Sequence, residues 1–492
     1  MRRAKILLVN NEEIIRRAVE RILQGRGFDV ESWPIYKGIN AVKKGRYNAI
    51  ILDQKSGLYT SHTTSPQGIF QARELAEDKN VRDIPRFLLT ETDTLDNKRD
   101  ALVADGIFKD IIYKSDAAVE DRLKDKIGYH TVIPLKIGFI SLGRLAQGLI
   151  KTLLHTCPEN IESITGVSVA ETKGHDEASL RERLSLPSES DFRICSSLEE
   201  FIALDNDINV VSSSKLAKSR LRPGRNWLWR IDQRTLVPIY QKIVEVERRL
   251  RQQGQEVSPL YNIATNPIGS QIMLGIELGL DPQRITGLSA SDTYRVIEWI
   301  KKRYKDLNGV WPDQKKVYAR VLNQHGLEIP VIGSIIAEGR TAKDLGLDCE
   351  EERLQMIEDI RKTGGKKQQE IRDAQEEDRY ELVSSDVAEA FVQNVREISK
   401  REQPSWSSYS LREKDGLYCA YNGPQIRDYD QKGLRVLPAP LDTIALTPEE
   451  RIQIDDEFIM SSEFQVSRIE KLLGRLRIQP SEHAKNYLKI RD

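Results

Sequence analysis

The sequence predicts an α/β protein built on parallel sheets. Short continuous apolar runs, such as KILLV (Lys5–Val9) and RFLLT (Arg86–Thr90), are typical of buried strands. They alternate with segments whose apolar residues recur at helical spacing. A second unit then begins at IPLKIGFIS (residues 133–141), a run typical of an innermost strand. This alternation implies parallel strands with helical crossovers on both faces, and hence doubly wound sheets.

The first unit spans residues 1–128. KILLV is followed by a helix over EEIIRRAVERILQGRG, which ends at glycine. Further strands are predicted at NAIILD (48–53), RFLLT and GIFKDIIYK (106–114). The charged segment AAVEDRLKDKIGY (117–129) is predicted to be a closing helix or a linker.

The second unit is assigned to residues 129–285 and the third to 286–492. The second unit contains the helices GRLAQGLIKTLLH (143–155) and TLVPIYQKIVEVERRLRQQ (235–253) and the strands ITGVSVAE (164–171), INVVSSS (208–214) and YNIATNP (261–267). The third is predicted to be mixed α+β and to end in the amphipathic helix SSEFQVSRIEKLLGRL (461–476). The charged stretch at 350–381 is predicted to be a solvated helix pair broken at Gly364 and Gly365.

Composition excludes several function classes. The 492 residues carry 75 Lys and Arg against 75 Asp and Glu, so no net field favours nucleic acid or a membrane surface. Four widely spaced cysteines without a C-x-x-C pair argue against disulfide frameworks and zinc ribbons. The first apolar run is too short for a signal peptide, and no stretch approaches a membrane span of ~20 residues. We expect a cytoplasmic protein.

Three side chains end successive strands of the first unit: Asp53, Thr90 and Lys114. In this order they resemble the phospho-accepting Asp, the switch Thr and the coupling Lys of the response-regulator receiver domain, and the resemblance covers nearly all of residues 1–120. It implies phosphorylation of Asp53, with a histidine kinase or a small phosphodonor as partner. It also implies Mg²⁺ near Asp53 and Glu12, because a divalent cation neutralises phosphoryl oxygens.

The receiver pattern is altered at its metal site. Asn10 and Asn11 stand where that family has an acidic pair, and neutral amides are weaker ligands for a hard cation. The segment after Asp53 is longer than in that family, and Ser115 replaces the usual proline after Lys114. Two alternatives therefore stay open: a phosphorylatable switch, or a pseudo-receiver used for docking or dimerisation.

A dinucleotide-type turn opens the second unit. KIGFISLGRLAQG places Ser141-x-Gly143-x-x-Ala146 where the fingerprint G-x-G-x-x-G would lie, between a strand and a helix. Gly143 would let the backbone approach a pyrophosphate, whereas Ser141 should strain the tight turn. Glu171 is placed to bind a ribose diol, which would favour NAD over its phosphorylated form, or it is a solvated loop acid.

Two later segments resemble the lactate and malate dehydrogenase family. YNIATNPIGSQIMLGIELGLDPQRITGLSASDTYRVIEWIKKR contains T-N-P and D-x-x-R, and LNQHGLEIPVIGS contains H-G. The likeness spans roughly residues 133–475 and implies four roles: His325 as acid-base, Asp292 as its orienter, Arg295 as clamp for the substrate carboxylate, and Asn266 beside the nicotinamide and the substrate carbonyl. Histidine suits reversible proton transfer near neutrality, and arginine suits bidentate carboxylate binding. Taken singly, an H-G turn or a surface D-x-x-R pair is structural.

The substrate loop departs from that family. In KLAKSRLRPGRNWLWRIDQRTLVPIYQKIV, Leu221 falls at the selecting position, and Gln233 falls at the polarising position. The candidate substrate-binding arginines are Arg220, Arg222 and Arg234, with Arg230 nearby, and the alternative is a basic surface loop. The loop is expected to be several residues longer than usual and to contain Trp227 and Trp229, which either roof the pocket or pack at a subunit interface.

The predicted architecture is a receiver-like doubly wound parallel sheet, then a Rossmann-type NAD-binding domain with a mixed α+β substrate domain. The resemblance implies an NAD-dependent 2-hydroxy-acid dehydrogenase of the malate or lactate type, a homo-oligomer (dimer or tetramer) acting on a small 2-oxo or 2-hydroxy acid. The alternative is a signalling or scaffold protein that binds a nucleotide or metabolite without turnover. Phosphorylation of Asp53 gating the dehydrogenase is a third hypothesis.

Overall fold

The computed structural model of the chain describes residues 5–10, 12–24, 28–34, 40–42, 47–54, 67–78, 81, 84–90, 103, 107–113, 132–168, 176–188, 190–212, 225–265, 267–288, 290–313, 316–322, 329–347, 349, 351–360, 362, 385–404, 407–415, 417–430, 433–440 and 446–479.

The N-terminal part forms a parallel sheet. Among its described residues, five strands lie in the spatial order β2-β1-β3-β4-β5: β1 (Lys5–Val9), β2 (Asp29–Trp33), β3 (Ala49–Gln54), β4 (Arg86–Thr90) and β5 (Asp110–Tyr113). Helices α1 (Glu13–Gln24) and α2 (Gln67–Glu77) belong to the same unit. Every pairing is parallel, and the order is that of a doubly wound, flavodoxin-like sheet. The predicted parallel sheet is therefore confirmed.

Strand β2 was not predicted from the sequence. Of its residues DVESW, Val30 is buried and the others are exposed or half-buried, so the segment lacks the apolar run that marks β1 and β4. The last strand is also shorter than the predicted 106–114. Edge strands, which are buried less completely, carry the weaker sequence signal.

The second sheet combines parallel and antiparallel strands. Its described strands lie in the order β16-β15-β11-β10-β9-β6-β7-β8: β6 (Leu135–Ile140), β7 (Ile161–Val167), β8 (Phe192–Cys195), β9 (Ile208–Val211), β10 (Leu260–Ile263), β11 (Ile285–Gly287), β15 (Ser408–Lys414) and β16 (Leu417–Gly423). From β8 to β11 all pairings are parallel, in the 3-2-1-4-5-6 order of the Rossmann fold. The hairpin β15–β16 extends this sheet antiparallel.

Helices cover both faces of the second sheet. They are α3 (Arg144–Thr156), α4 (Glu177–Leu184), α5 (Leu198–Ala203), α6 (Arg225–Gln252) and α7 (Ile268–Glu277). Two apolar clusters result. One joins α6 and α7 to one face of the sheet, and the other joins α3 to the opposite face. Burial on both faces explains why the central strands are continuous apolar runs.

The C-terminal part adds helix α8 (Ala290–Asn308), which packs on a small antiparallel sheet of β12 (Val317–Leu322), β13 (Ile329–Ala337) and β14 (Arg340–Thr341). Residues 351–360 are also helical. Helix α9 (Ser385–Ser399) packs beside α3 in the second sheet's core. A two-stranded ribbon, β17 (Gln425–Asp430) and β18 (Gly433–Pro438), precedes helix α10 (Pro448–Leu476).

Helix α10 is fixed at its start and along its length. The Thr447 hydroxyl accepts from the Glu450 amide while the Glu450 carboxylate accepts from the Thr447 amide, which forms a capping box. Further along, Gln465 accepts from the Ala420 amide and donates to the Ala420 carbonyl, both at 3.0 Å. Ala420 belongs to β16, the last strand of the sheet order, so one helix side chain supplies the pairing that a neighbouring strand would supply.

Helix α6 begins at Arg225, ten residues before the predicted start at Thr235. The expectation that the substrate loop contains Trp227 and Trp229 was therefore wrong, because both positions lie within this helix. The predicted length of the loop falls on residues 213–224, outside the described residues. The segment from Arg225 to Val237 contains no glycine or proline, and nothing in it interrupts a helix that tertiary packing favours.

Candidate functional site

The second sheet has a topological switch point between β6 and β9. Ligands of open α/β sheets bind outside the carboxyl ends of the strands where the strand order reverses. Here those ends are followed by Ser141 and Ser212. The Ser212 hydroxyl donates to the Ser141 carbonyl at 2.8 Å, so the two strand ends are tied together at the crevice.

The turn after β6 leaves room for a ligand to approach the protein backbone closely. Ser141 has a φ of 75°, in the left-handed region, so the expected strain at the first glycine position is present. Gly143 is the N-cap of α3 with φ −65° and ψ 177°, and no described side chain caps it. A Cβ built at Gly143 would meet no described atom within 4 Å. Ala146 is fully buried against the core.

These features fit a dinucleotide. Amide groups at an uncapped helix N-terminus attract a diphosphate, and the open space at Gly143 allows close approach. Glu171, the predicted ribose-binding residue, lies outside the described residues. The fit therefore depends on Ser141, Gly143 and Ala146.

Helix α8 places Asp292 and Arg295 on one face, as their spacing predicts. Arg295 Nη1 lies 3.1 Å from Asp292 Oδ1, and Arg295 Nε lies 2.5 Å from Asp386 Oδ2 in the first turn of α9. The side chains of Asp292 and Asp386 are 1% and 0% exposed, and that of Arg295 is 12% exposed. The structure thus brings a second aspartate to the predicted clamp.

Sequence reasoning missed Asp386. An acidic residue in the first turn of an amphipathic helix complements the helix dipole, so its presence in DVAEAF carries no signal of a partner. The partner is 91 residues away in the chain. Nothing in the sequence pattern could have found this contact.

The surroundings of this cluster are acidic. Burial, and then the nearby carboxylates of Glu298, Glu389 and Asp386, raise the pKa of Tyr294 to about 12. These carboxylates act on Tyr294, the residue before Arg295 in α8.

Several predicted site residues lie outside the described residues: Asn266, His325, Arg220, Arg222 and Lys114. Of the substrate-loop residues, Arg234 is exposed on α6. Gln233 is 3% exposed, and its amide oxygen accepts from Arg475 Nη2 at 3.0 Å. At the predicted polarising position, the structure therefore shows a glutamine engaged by the last turn of α10.

The carboxyl edge of the N-terminal sheet buries three polar side chains. Asn10, Asp53 and Thr90 are each at most 1% exposed. Asp53 on β3 and Thr90 on β4 lie one residue out of register on neighbouring strands. The Asn10 side-chain oxygen accepts from the Glu12 amide at 2.7 Å. Asp53 and Thr90 thus share one edge, as predicted.

Two kinds of feature are absent from the part of the chain that the structure describes. It holds no group of three or more His, Cys, Asp or Glu side chains arranged to bind a metal ion. None of its helices combines the length and apolarity needed to cross a bilayer. Magnesium near Asp53 and Glu12 remains a prediction.

Comparison with known proteins identifies the fold. No family model and no curated protein matches the chain. Among solved structures it is similar to Cryptosporidium parvum malate dehydrogenase (15% identity, 69% of this chain, 100% of that chain, TM-score 0.52). It is also similar to Aeropyrum pernix malate dehydrogenase (16% identity, 67% of this chain, 97% of that chain, TM-score 0.50). A third similar structure is Cryptosporidium parvum lactate dehydrogenase complexed with lactic acid and nicotinamide adenine dinucleotide (16% identity, 69% of this chain, 99% of that chain, TM-score 0.52).

The strand order and the turn after β6 define a Rossmann-type α/β protein. Within that class, the larger part of the chain has the fold of the malate and lactate dehydrogenases.

Proposed function

We propose that the chain is an NAD-dependent 2-hydroxy-acid dehydrogenase of the malate or lactate type. The observation that carries this proposal is the pairing of Asp292 with Arg295 on one helix of a chain with this fold, which also has an uncapped helix N-terminus at the switch point of its sheet. One of the similar structures binds lactic acid and NAD, which is the substrate and cofactor class proposed for this chain.

The turn Ser141-x-Gly143-x-x-Ala146 would hold the diphosphate of NAD, and Glu171 would hold its ribose. When bound, the cofactor accepts or supplies a hydride at the substrate carbon. The proposed domain boundaries are 1–128, 129–285 and 286–492, with the second unit holding NAD and the third contributing the substrate side together with the hairpin β15–β16 that extends the second sheet.

Four side chains of this chain would perform the remaining chemistry. His325 gives a proton to the carbonyl oxygen during reduction and takes it back during oxidation. Asp292 holds the histidine ring and favours its protonated form. Arg295 binds the substrate carboxylate, and Asn266 positions the carbonyl. Arg220, Arg222 and Arg234 are the candidates for further substrate contacts.

The test is NADH binding and NADH oxidation by the purified protein across pyruvate, oxaloacetate, branched and aromatic 2-oxo acids. His325→Ala should abolish turnover and retain NADH binding. His155→Ala removes an exposed histidine on α3 and serves as the matched control. NADH binding without turnover of any 2-oxo acid would instead support a nucleotide-sensing protein, and loss of both would support a scaffold.

The N-terminal unit has a separate test. Acetyl phosphate treatment followed by mass analysis distinguishes a phosphorylatable switch from a pseudo-receiver. A gain of one phosphoryl group on the wild type, absent from Asp53→Ala, would support the phosphorylatable switch. No added mass would leave docking or dimerisation as its function.

A further inference from the structure

Arg295 is engaged by carboxylates on two of its three nitrogens. A guanidinium offers a substrate carboxylate two edges at which two parallel hydrogen bonds can form, Nε with Nη2 and Nη1 with Nη2. Asp386 lies 2.5 Å from Nε, and Asp292 lies 3.1 Å from Nη1. Each edge therefore already has one nitrogen bonded to a protein carboxylate.

The charge of the cluster also opposes an anion. Asp292, Arg295 and Asp386 together carry one net negative charge when all three are ionised, and their side chains are almost entirely buried. A substrate carboxylate would add a second negative charge in a region of low dielectric.

Of the two aspartates, Asp386 is the one placed to compete with substrate. Asp292 shares a helix with Arg295, three residues away, and is the proposed partner of His325. Asp386 comes from a different helix, α9, and its contact is the shorter of the two. Removing Asp386 would leave Arg295 and Asp292 as a neutral pair with the Nε and Nη2 edge open.

We infer that Asp386 is a specificity-determining residue that occupies Arg295 in place of a substrate carboxylate, so that a 2-oxo acid must displace it in order to bind. The inference rests on the proposed function. It assigns the site a weak affinity for small 2-oxo acids, and a stronger one once the competing carboxylate is removed. The effect should fall on KM and leave kcat nearly unchanged, because the substrate carboxylate contacts Arg295 equally in the ground state and in the transition state.

The experiment measures binding of oxamate, an unreactive amide analogue of a small 2-oxo acid, by calorimetry with and without NADH. Asp386→Asn should bind oxamate at least about tenfold more tightly than the wild type, because an opposing charge has left a buried site. Asp386→Glu keeps the charge and should bind as weakly as the wild type. Asp306→Asn removes an exposed carboxylate from α8 and is the matched control.

Unfolding of each variant is measured in parallel, since a buried ion pair is being altered. Should Asp386→Asn not fold, Asp386→Ser replaces it, because the shorter, uncharged side chain leaves the edge formed by Nε and Nη2 open to the ligand. A wild type that binds oxamate as tightly as Asp386→Asn, or oxamate binding to no variant, would overturn the inference. Absence of NADH binding to every protein would overturn the proposed function instead, and the titrations without NADH would still report on Asp386.

Discussion

The guanidinium of Arg401 lies over the ring of Phe28, with 5.3 Å between Cζ and the ring centroid. The same Cζ lies 5.6 Å from the ring centroid of Tyr429. Phe28 belongs to the core of the N-terminal sheet, and Tyr429 lies on β17. One cation thus stands between two aromatic rings from opposite ends of the chain. Nearby, the Ile133 amide donates to the Ser399 carbonyl at 2.7 Å, and Ile133 packs against the N-terminal core.

We predict that Arg401→Ala loosens the attachment of the N-terminal sheet. Loss of a partly desolvated cation–π contact should cost about 1 kcal/mol. Hydrogen-exchange mass spectrometry should show faster exchange in β1 and β2 with little change in β9 and β10. Arg401→Lys keeps the positive charge, so its exchange rates in β1 and β2 should lie between those of the wild type and Arg401→Ala. Equal exchange in the wild type and Arg401→Ala would show that the contact contributes nothing.

Two glycines of the second unit should respond differently to the same substitution. A Cβ at Gly138 would lie closer than 3.0 Å to Asn209, Phe201 and Asn206, in a buried network where Asn206 donates to Asn209 at 3.0 Å. Gly138→Ala should therefore destabilise the protein by about 3 kcal/mol. Gly143→Ala meets no described atom within 4 Å, so its cost should be about 1 kcal/mol or less, the penalty for alanine at an N-cap.

Gly143→Ala, the variant with the smaller effect on stability, should have the larger effect on NADH binding. Gly143→Ala places a methyl group where the diphosphate would approach, and should weaken NADH binding while the protein stays folded. Denaturant titration and NADH fluorescence measure the two effects. Equal NADH affinity in the wild type and Gly143→Ala would remove this turn from the proposed cofactor site.

Ser141→Gly should stabilise the chain. A non-glycine residue in the left-handed region costs about 1 kcal/mol, and glycine adopts the observed φ of 75° without that cost. The comparison variant is Ser185→Gly, at a left-handed position with φ 50° that ends α4, far along the chain from the turn. Both should raise the free energy of unfolding in urea. A loss of stability in Ser141→Gly alone would mean that the serine side chain contributes more than the strain costs.

Glu277 should make stability depend on pH. Burial, and then the charge of Glu470, raise the pKa of Glu277 from 4.5 to about 7, and its side chain is 4% exposed. The folded protein holds the proton of Glu277 more tightly than the unfolded chain does. Glu277 therefore favours the folded state most at low pH, and this stabilisation is lost as pH rises from 4.5 to about 7. Between pH 5 and 8 the wild type should lose about 2 kcal/mol more than Glu277→Gln.

Chemical denaturation at a series of pH values measures this difference. Glu463→Gln changes an exposed carboxylate on α10 and should keep the slope of the wild type. Parallel stability profiles for the wild type and Glu277→Gln would show that Glu277 is ionised in the folded protein throughout this range.

The strands with the most complete burial were predictable from sequence. KILLV and RFLLT have the predicted bounds because each is an unbroken apolar run covered on both faces. FRIC (Phe192–Cys195) was missed because its two central residues are exposed and half-buried. The start of α6 at Arg225 was missed although Pro223 and Gly224, which interrupt helices, directly precede it. Propensity alone is a weak prior where tertiary contacts decide.

The candidate site was predictable only where its geometry is local. The spacing of Asp292 and Arg295 places them on one helix face, and they are in contact. The approach of Asp386 depends on how α8 and α9 pack, which no short-range pattern encodes. For the same reason Gln233 could be placed at a motif position, but its bond to Arg475 could not be foreseen.

The two hydrogen bonds between Gln465 and Ala420 should lower the tendency of copies of the chain to aggregate in a crowded solution. An uncovered outer strand is a template on which another molecule can add its own strand and begin a fibril. Here the side-chain amide of Gln465 hydrogen-bonds to both backbone groups of Ala420, and the Ser462 hydroxyl donates to the carbonyl of Tyr418 on the same strand. A chain cut before residue 448 would lack α10 and would expose the backbone groups of β16, so we expect such a chain to aggregate more readily than the full chain.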